Sequence, residues 1–461
     1  MTFTPITPEH VAMLIQLAGA ENVSVAQSER DLHARDQSYH PAHPADVVIF
    51  GTSAEQISRV VAYANTHHIP ITPWGVGTGL EGGAIPVHGG ISLSLERMTA
   101  IIEVHADDFQ VTVQAGLGHK DLNKQLAKYG LFFPPDPGAN ASIGGMLANN
   151  AAGIRTVKYG ASKDNVLKMQ VVLADGRIIE VGSRSIKQSS GYDLLHLFVG
   201  SEGTLGIITQ ATLKLVPIPQ HMSAMVASFP TVESAIQAVV ALKGSGLDPA
   251  ALEFIDAEHC RLLSEAEDID LLEYPTLFIE FHAGQSSWLI DGIEMATQLC
   301  HELGAINIRA TTDSTERLKL WHARHHSYEI LVRANPTKKI LVMDVAVPIS
   351  AYPTLIDYIE SLRPTVPLQI TMVGHAGDGN IHVEFAYGDE AEFDLAMACD
   401  RKIVEKALSL GGTATGEHGV GMGKAQFMPT EHGEAFTVMK TIKHTLDPNN
   451  ILNPSKIFLD E

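Results

Sequence analysis

Short apolar runs and amphipathic stretches alternate along the first half of the chain. In SAEQISRVVAYANTHH, apolar residues recur at helical spacing from Ile57 to Ala64 behind Ser53, which predicts a helix with Ser53 as its N-cap. KDLNKQLAKYG predicts a second helix that ends at Gly130. VVLADGRIIEV predicts a β-hairpin whose two-residue turn is Asp175-Gly176.

The pattern changes after Pro217 and Pro219. Strand-forming runs such as ALEFIDA, LFIEFHA and KILVMDVAVP now alternate with longer amphipathic stretches, and ERLKLWHARHHSYEILV predicts one continuous helix. This alternation indicates an α+β domain whose sheet is covered by helices. We therefore expect an N-terminal helical segment over residues 1–45, a first domain over 46–219 and a second over 220–446. A tail over 447–461 is expected to pack back on the first domain.

The composition is that of a globular protein with an acidic surface. Apolar residues make up 45% of the 461 residues, and 32 basic against 53 acidic residues give a formal charge of −21. This excess of negative charge argues against a nucleic-acid partner. Cys260, Cys300 and Cys399 lie far apart and form no C-x-x-C pair, which favours a reducing compartment over a disulfide framework or a zinc–cysteine site.

Targeting signals are not evident in the sequence. The N-terminus lacks a cationic start followed by an apolar core, and the longest apolar run, ILVMDVAVPI, is short and contains Asp344. A transmembrane helix needs about 20 predominantly apolar residues. We therefore expect a cytoplasmic protein that is at most peripheral at a membrane.

Three glycine-dense segments interrupt the strand pattern of the first domain. The first, ITPWGVGTGLEGGAIPVHGG, contains G-x-G-x-x-G at Gly77, Gly79 and Gly82. A dinucleotide-binding helix should begin there, but Pro86 and another strand follow instead. We therefore reject a Rossmann site and expect a loop between two strands, whose backbone N–H groups can surround a phosphate.

The second segment, FFPPDPGANASIGGMLANNAAGIRTVKYG, and the third, GSEGTLG, have the same loop character. Ser142, Gly144 and Gly145 allow a close approach of the chain, and Asn149 and Asn150 offer amides. One such segment is as readily a surface loop as a binding site, because a lone glycine pattern is a weak signal. Three of them in one domain favour a large phosphate-bearing cofactor.

The octapeptide HAGDGNIH places two histidines around a polar turn between apolar runs. His375 and His382 converge only if the intervening glycines turn or bulge the chain. Glu384 follows His382 on the same strand face, and GGTATGEHGVGMGK sets Glu417 beside His418. Two histidines with one carboxylate and an open position form a ligand set for a catalytic divalent metal. Hydrogen-bonded structural histidines are the alternative.

The motifs PWGVGTGL, PPDPGANASIGGMLANNAAG and GSEGTLGIIT resemble the FAD domain of the vanillyl-alcohol-oxidase type. The second half of the chain resembles the FAD-linked oxidases that include D-lactate dehydrogenases, D-2-hydroxyglutarate dehydrogenases and the flavoprotein subunit of glycolate oxidase. The resemblance implies an α+β, two-domain flavoprotein. Residues 46–219 would form the FAD-binding domain, and residues 220–446 would form an α+β substrate (cap) and metal-binding domain with an antiparallel sheet.

The resemblance also implies how FAD is held. Val76-Gly77-Thr78 stands where some relatives tether the flavin through a histidine, so we expect non-covalent FAD. The expected cofactor-binding residues lie in the three loops and the tail: Trp74, Gly75, Gly77, Thr78, Gly79, Pro137, Ser142, Gly145, Asn149, Gly153, Glu202, Gly203, Gly206, Ile208 and Asn453.

Ligands for a metal follow from the same resemblance. His375, His382 and Glu417 match the residues that hold a divalent cation, zinc or manganese, with iron as a third candidate. His418 matches the general base. A cation at the substrate hydroxyl lowers the pKa of that hydroxyl, which otherwise does not ionise at neutral pH.

Substrate recognition is expected to depend on Arg324, which matches the group that holds the substrate carboxylate. Tyr328, four residues on along the same helix face, is expected to help shape the pocket. Relatives that act on 2-hydroxyglutarate carry a lysine in the strand where this chain has Val342, and an asparagine where it has Glu384. Neither residue can bind a second carboxylate, and the pattern therefore favours a small monocarboxylic substrate. Glu384 is expected to lie near that substrate.

We therefore predict oxidation of a small D-2-hydroxy acid, D-lactate to pyruvate, with hydride transfer to the flavin. The electrons would pass to a non-NAD acceptor such as a cytochrome, a quinone or an electron-transfer flavoprotein. A glycolate or D-2-hydroxyglutarate dehydrogenase is the alternative within the family. A non-haem metal oxygenase and a non-catalytic flavin-binding module are alternatives of other classes. We expect a homodimer.

Overall fold

The computed structural model of the chain describes residues 2–267 and 269–459. They form two compact units. The first unit comprises the described residues within Met1–Ala152, Gly160–Ile218 and Glu417–Glu461, and the second comprises those within Gly153–Tyr159 and Pro219–Gly416. Residues 417–446, which the sequence pattern assigns to the second domain, thus cluster with the first unit.

The strands are mostly short. In chain order they are β1 Val23–Ser24, β2 Val47–Phe50, β3 Ile71–Trp74, β4 Ile91–Ser94, β5 Ile101–His105, β6 Gln110–Gln114, β7 Leu131–Phe132, β8 Val166–Val172, β9 Ile178–Gly182, β10 Ile207–Lys214, β11 Val216–Pro217, β12 His221–Met222, β13 Ala224–Ser228, β14 Ala251–Ile255, β15 Thr276–Glu280, β16 His282–Ala283, β17 Asn307–Thr311, β18 Lys339–Ala346, β19 Gln369–Gly374 and β20 Asn380–Tyr387.

Helices connect many of these strands. In chain order they are α1 Pro8–Ala18, α2 Gln27–Leu32, α3 Ala54–His67, α4 His119–Leu126, α5 Ile143–Asn149, α6 Thr156–Tyr159, α7 Leu194–Phe198, α8 Val232–Gly244, α9 Ala257–Ala266, α10 Ser286–Glu302, α11 Ser314–His325, α12 Ser327–Ala334, α13 Tyr352–Leu362, α14 Glu390–Ser409, α15 Met428–His432 and α16 Glu434–Leu446.

The first unit contains two larger sheets. A four-stranded sheet has the order β1-β2-β4-β3, in which β2, β4 and β3 run parallel. A five-stranded antiparallel sheet has the order β5-β6-β10-β8-β9. Every residue of β2 and β4 is buried, as is usual for parallel strands covered on both faces. One apolar core extends over α3 and both sheets.

Local patterns in this unit are confirmed. Ser53 accepts a hydrogen bond from the Gln56 N–H at the start of α3, and the predicted face from Ile57 to Ala64 is buried. The predicted hairpin is formed by β8 and β9, which pair antiparallel on either side of Asp175-Gly176. The rejection of a Rossmann site also holds, because residues 75–90 contain no helix and lead directly from β3 to β4.

The second glycine segment differs from its prediction as a loop. It contains two short helices, α5 and α6, and the Ser142 hydroxyl accepts a hydrogen bond from the Gly145 N–H as the N-cap of α5. The apolar residues Ile143, Met146 and Leu147 of α5 are buried in the core of the unit. Burial of this apolar face outweighs the low helix propensity of the two glycines.

The chain end packs against β3. Ile451 and Leu452 lie in the core of the first unit, and the Ile71 N–H donates to the Ile451 carbonyl at 2.7 Å. The Lys443 ammonium, buried at the end of α16, donates to Asp447 at 2.5 Å and to the Thr204 carbonyl at 2.9 Å. These bonds tie α16 and the segment after it to the first unit.

The second unit is built on a seven-stranded antiparallel sheet of order β17-β13-β15-β14-β19-β20-β18. Every residue of β13, β14 and β15 is buried. Helix α9 packs on β19, and α14 packs on β18 and β20. The expected α+β fold, with its antiparallel sheet in the second unit, is confirmed.

The prediction of one continuous helix over ERLKLWHARHHSYEILV is wrong. Helix α11 ends at His325 and α12 begins at Ser327, with His326 between them at φ −102° and ψ 17°. The imidazoles of His325 and His326 contact the carbonyls of Trp321 and His322 at 2.6 and 2.9 Å. The His326 N–H still donates to the His322 carbonyl at 3.0 Å, so the interruption is confined to this one residue.

None of the described helices combines the length and apolar character that a membrane span requires.

We predict that Asp447→Ala lowers the free energy of unfolding by about 3–5 kcal/mol, because it leaves the buried Lys443 ammonium without its carboxylate. Urea-induced unfolding followed by circular dichroism measures the change. Glu180→Ala, which removes an exposed cross-strand pair with Lys168, is the matched control and is expected to cost under about 1 kcal/mol. Equal effects of the two substitutions would contradict the prediction.

Candidate active site

A turn between β19 and β20 brings the two histidines of HAGDGNIH together. After β19 the chain makes one 3₁₀ turn over Ala376–Asp378, and β20 begins at Asn380. Gly379 has φ +73°, and a Cβ at this position would lie 2.0 Å from the Val347 carbonyl oxygen. The turn therefore requires glycine at residue 379.

His375 and His382 converge as the sequence pattern predicts. Their ring centroids are 5.4 Å apart in an edge-on arrangement, and both residues are buried. Glu417 directly follows Gly416, and one potential ligand atom from each of His375, His382 and Glu417 lies within 4.8 Å of the others. Two imidazoles and one carboxylate at this spacing are a suitable donor set for a divalent cation with open positions.

A buried carboxylate faces the Nδ1 atom of each histidine. Glu253, on β14, lies 2.8 and 2.9 Å from His375 Nδ1 through its two oxygens. Asp344, on β18, lies 3.6 Å from His382 Nδ1. Asp344 thus lies beyond hydrogen-bonding distance of His382 Nδ1. The hydrogen-bonded carboxylate of Glu253 favours the His375 tautomer that carries its proton on Nδ1, which leaves Nε2 able to bind a cation. The arrangement is one that metal-binding histidines commonly adopt.

Asp344 also anchors the segment that leads to Glu417. Its Oδ1 accepts a hydrogen bond from the Asn380 amide at 2.5 Å. Its Oδ2 accepts hydrogen bonds from the Thr415 hydroxyl at 2.8 Å and the Gly416 N–H at 2.6 Å. Asp344 therefore joins β18 and β20 to the residue that precedes Glu417.

Arg324 lies at the end of α11, and its side chain is 8% exposed. Its Nη2 donates to Glu253, and its Nη1 lies 3.5 Å from the Ser327 hydroxyl. Its Nε is buried and finds no acceptor among the residues that the structure describes. Burial opposes ionisation of Glu253, but His375 and Arg324 outweigh it and hold the pKa of this carboxyl below its usual value.

Glu384 lies in an interior network. Its Oε2 accepts a hydrogen bond from the Thr371 hydroxyl at 2.8 Å and lies 3.3 Å from His259 Nδ1. Burial opposes ionisation of Glu384, but the hydrogen bond and charge of His259 hold the pKa of this carboxyl below its usual value. The ionised side chain thus places a negative charge two residues from His382.

Tyr328 does not share a helix with Arg324. It belongs to α12, beyond the break at His326, and 44% of the residue is exposed. The expectation that both residues lie on one helix face is therefore wrong, because α11 ends at His325 and α12 begins at Ser327.

The first glycine segment follows β3. Gly75, Thr78 and Gly79 lie in this loop, and Gly77 has φ +68° with its Cα against the Trp74 ring, where a Cβ would lie 2.7 Å from a ring carbon. Trp74 Nε1 is buried and has no acceptor within the described part of the chain. This orphaned donor suits a ligand that carries hydrogen-bond acceptors.

Asn453 lies in the tail of the first unit with φ +43°. Its amide nitrogen donates to the carbonyls of Gly83 at 3.0 Å and Glu202 at 2.7 Å. Its Oδ1 is buried without a donor among the described residues. An acceptor here and a donor at Trp74 fit the mixed hydrogen-bonding edges of a flavin.

Two residues expected to bind cofactor also hold the loop after Glu417. The Glu202 carboxylate accepts hydrogen bonds from the N–H groups of Val420 at 2.6 Å and Gly421 at 2.8 Å. The Asn149 amide donates to the His418 carbonyl at 3.3 Å. Burial raises the pKa of Glu202 to about 7, although these N–H groups favour the charged form.

The other expected cofactor-binding residues lie in loops, in α5 and in β10. Pro137 lies outside helices and strands, Gly153 lies between α5 and α6, and Gly145 lies within α5. Gly203 and Gly206 belong to the segment before β10, and Ile208 is a buried residue of β10.

Sequence reasoning missed the roles of Glu253 and Asp344. Each is an acidic residue inside an apolar strand run, ALEFIDA for Glu253 and KILVMDVAVP for Asp344. A carboxylate at the centre of such a run is costly to bury unless it is paired, and this was the available signal. Their partners lie far along the chain and are not evident from local pattern.

Comparison with known proteins matches two families along most of the chain. Residues 45–182 match the family described as "FAD binding domain", and residues 218–457 match "FAD linked oxidases, C-terminal domain". In structure, the chain resembles p-cresol methylhydroxylase with a TM-score of 0.81 over 98% of this chain and 96% of that one, at 17% identity. This structural likeness supports the fold.

Relatives in sequence extend over almost the whole chain. It is 39% identical to "Probable D-lactate dehydrogenase, mitochondrial" of Danio rerio, over 97% of this chain and 91% of the relative. It is 36% identical to "D-lactate dehydrogenase [cytochrome], mitochondrial" of Arabidopsis thaliana, over 98% and 80%. It is 35% identical to "Glycolate oxidase subunit GlcD" of Bacillus subtilis, over 98% and 97%.

The two-unit architecture and these matches define a flavoprotein oxidoreductase. The chain belongs to the FAD-linked oxidase family and is similar to its D-lactate dehydrogenases.

We predict that Glu202→Gln makes stability less dependent on pH. With a pKa of about 7 in the folded protein against an ordinary value of 4.5, Glu202 gives the folded state an extra proton between about pH 5 and 7. Wild-type stability therefore falls as pH rises through this window, by at most about 1.4 kcal/mol per pH unit from this group. Melting temperatures are measured from pH 5 to 8. The melting temperature of Glu202→Gln relative to that of wild type should increase as pH rises. A constant gap would show that Glu202 does not titrate there.

Proposed function

We propose that the protein oxidises a small D-2-hydroxy acid, with D-lactate as the preferred substrate, in a FAD-dependent and metal-assisted reaction. The observation that carries the proposal is the buried Arg324 guanidinium, joined through Glu253 to His375 of the candidate metal site. Glu253 thus links the cation site to Arg324, which we call the carboxylate grip. Two linked sites of this kind suit a substrate whose carboxylate and hydroxyl are on adjacent carbons.

Arg324 would bind the substrate carboxylate. Its Nη2 is held by Glu253, and its buried Nε is the donor that finds no acceptor among the described residues. A guanidinium presents donors in a fixed plane that matches a carboxylate, and this match orients the substrate.

His375, His382 and Glu417 would hold the divalent cation, zinc or manganese with iron as a third candidate. When bound, the cation supplies Lewis acidity that lowers the pKa of an alcohol. His418, next to Glu417 in the chain, would take the proton from the substrate hydroxyl as general base. The hydrogen bond from Asn149 to the His418 carbonyl helps to hold this residue in place.

FAD would be bound without a covalent link by the loop Trp74–Gly79, the segments around Ser142 and Gly203, and Asn453. When bound, FAD supplies a two-electron acceptor for the hydride on C2. The Trp74 indole N–H and the Asn453 side-chain oxygen would hydrogen bond to it, since both atoms are buried and unsatisfied by the described residues.

The charges near His382 favour a small monocarboxylate. Val342 pairs with Glu384 across β18 and β20 and offers no cation. Glu384 is buried beside His259 and likewise offers no cation to a second carboxylate. Glycolate is the second candidate, because one relative is named as a subunit of glycolate oxidase.

The electron acceptor is proposed to be a cytochrome, with a quinone and an electron-transfer flavoprotein as alternatives. The name of the Arabidopsis relative supports a cytochrome.

We predict that D-lactate bleaches the flavin absorbance of the purified, metal-loaded protein under anaerobic conditions. L-lactate should react far more slowly, and D-2-hydroxyglutarate should react poorly because it carries a second carboxylate. Glycolate, titrated in parallel, distinguishes the second candidate by its relative rate. Prior treatment with a chelator should abolish bleaching, and added Zn²⁺ or Mn²⁺ should restore it. A yellow protein that none of these acids bleaches would refute the substrate class, and bleaching insensitive to chelation would refute metal assistance.

We predict that His418→Ala slows flavin reduction by D-lactate by about 10²–10⁴-fold, because it removes the proposed general base. Stopped-flow absorbance measures the reduction rate directly. His444→Ala, which alters an exposed histidine of α16, is the control and should reduce at the wild-type rate. Near-normal reduction in His418→Ala would exclude this residue as the base.

A further inference from the structure

We propose that Glu253 is a positioning residue that couples the cation site to the carboxylate grip. This inference rests on the proposed function and deepens it. One buried carboxylate would orient both His375, as a metal ligand, and Arg324, as the substrate-binding residue.

Both oxygens of Glu253 are engaged. Oε1 and Oε2 lie 2.8 and 2.9 Å from His375 Nδ1, and Oε2 also accepts from Arg324 Nη2. Glu253 is 0% exposed in the middle of β14, a strand that is buried at every position. Water therefore does not compete for these contacts, and neighbouring strands fix the position of the carboxylate.

The chemistry of the contacts requires a carboxylate at this position. Two donors, an imidazole N–H and a guanidinium N–H, meet one acceptor group. A glutamine of the same shape keeps one oxygen but turns an NH₂ toward one of the two donors. It also leaves the buried guanidinium without a counter-charge, which is costly. Loss of the charge should therefore disturb both neighbours.

Asp344 provides an internal comparison. It lies 3.6 Å from Nδ1 of the other histidine, His382, and it accepts hydrogen bonds from Asn380, Thr415 and Gly416. None of these contacts involves Arg324. Asp344 should therefore affect the cation site while leaving the carboxylate grip unchanged.

The test compares Glu253→Gln, Asp344→Asn and Asp256→Asn in the FAD-loaded protein. Asp256 is a buried carboxylate three residues after Glu253 that pairs with Arg363, and it controls for loss of a buried charge. Zn²⁺ affinity is measured by competition with a chromophoric chelator. The carboxylate grip is measured as the inhibition constant of propionate, which has the carboxylate but lacks the hydroxyl, at saturating Zn²⁺.

We expect Glu253→Gln to weaken Zn²⁺ binding by about 10–100-fold, as loss of a residue behind a metal ligand commonly does. It should also raise the propionate constant at least about tenfold, a change in carboxylate binding worth about 1.4 kcal/mol. Asp344→Asn should weaken Zn²⁺ binding alone, and Asp256→Asn should change neither.

An unchanged Zn²⁺ affinity or an unchanged propionate constant in Glu253→Gln would overturn the coupling. Equal effects of Asp256→Asn on both quantities would also overturn it, since they would mark a general loss of structure. Glu253→Asp keeps the charge but shortens its reach, and it tests the residue if the glutamine variant fails to fold; wild-type values for both quantities would refute the proposal.

Zn²⁺ affinity does not depend on turnover. If no 2-hydroxy acid reduces the flavin, the proposed function fails while the Zn²⁺ comparison still tests Glu253. If D-lactate reduces the flavin but Glu253→Gln behaves as wild type, only this inference fails.

Discussion

The second unit of the protein depends on the burial of two carboxylates within one antiparallel sheet. Glu253 and Asp344 are both fully shielded from solvent, where a carboxylate is stable only when donors or cations surround it. Arg324 and His375 contact Glu253. The Thr415 hydroxyl and the Gly416 N–H, just before Glu417, donate to Asp344. The contacts that stabilise these two buried carboxylates therefore also fix the positions of the residues proposed to bind substrate and cation.

The limits of sequence reasoning follow from the same contacts. The turn of HAGDGNIH was predictable, because glycines and alternating strand residues determine it locally. The pairing of Glu253 with His375 spans 122 residues, and no local pattern reveals it. The break at His326 was missed for another reason: the sequence repeats its apolar residues at helical spacing on both sides of it, so the pattern shows no interruption.

The glycine segments of the first unit predicted a phosphate-bearing cofactor but not their own local structure. Their combination indicated a flavin, and the family matches agree with this reading. The segment around Ser142 nevertheless forms a short helix, because its apolar residues are buried. Glu202 binds backbone N–H groups 218 and 219 residues away. Its role in holding the loop after His418 depends on the tertiary fold, which the spacing of residues in the chain does not encode.

The register between β18 and β20 determines whether the proposed metal-binding residues meet. In the β18–β20 register these residues are direct partners, as are Val342 and Glu384. A slip by one residue would turn His382 to the opposite face of the sheet and separate it from both Asp344 and His375. Such a misregistered chain could remain compact and apolar inside, yet it would lose the three-residue donor set. Cation binding would then discriminate correctly paired molecules from near-native ones that hydrophobic burial alone cannot tell apart.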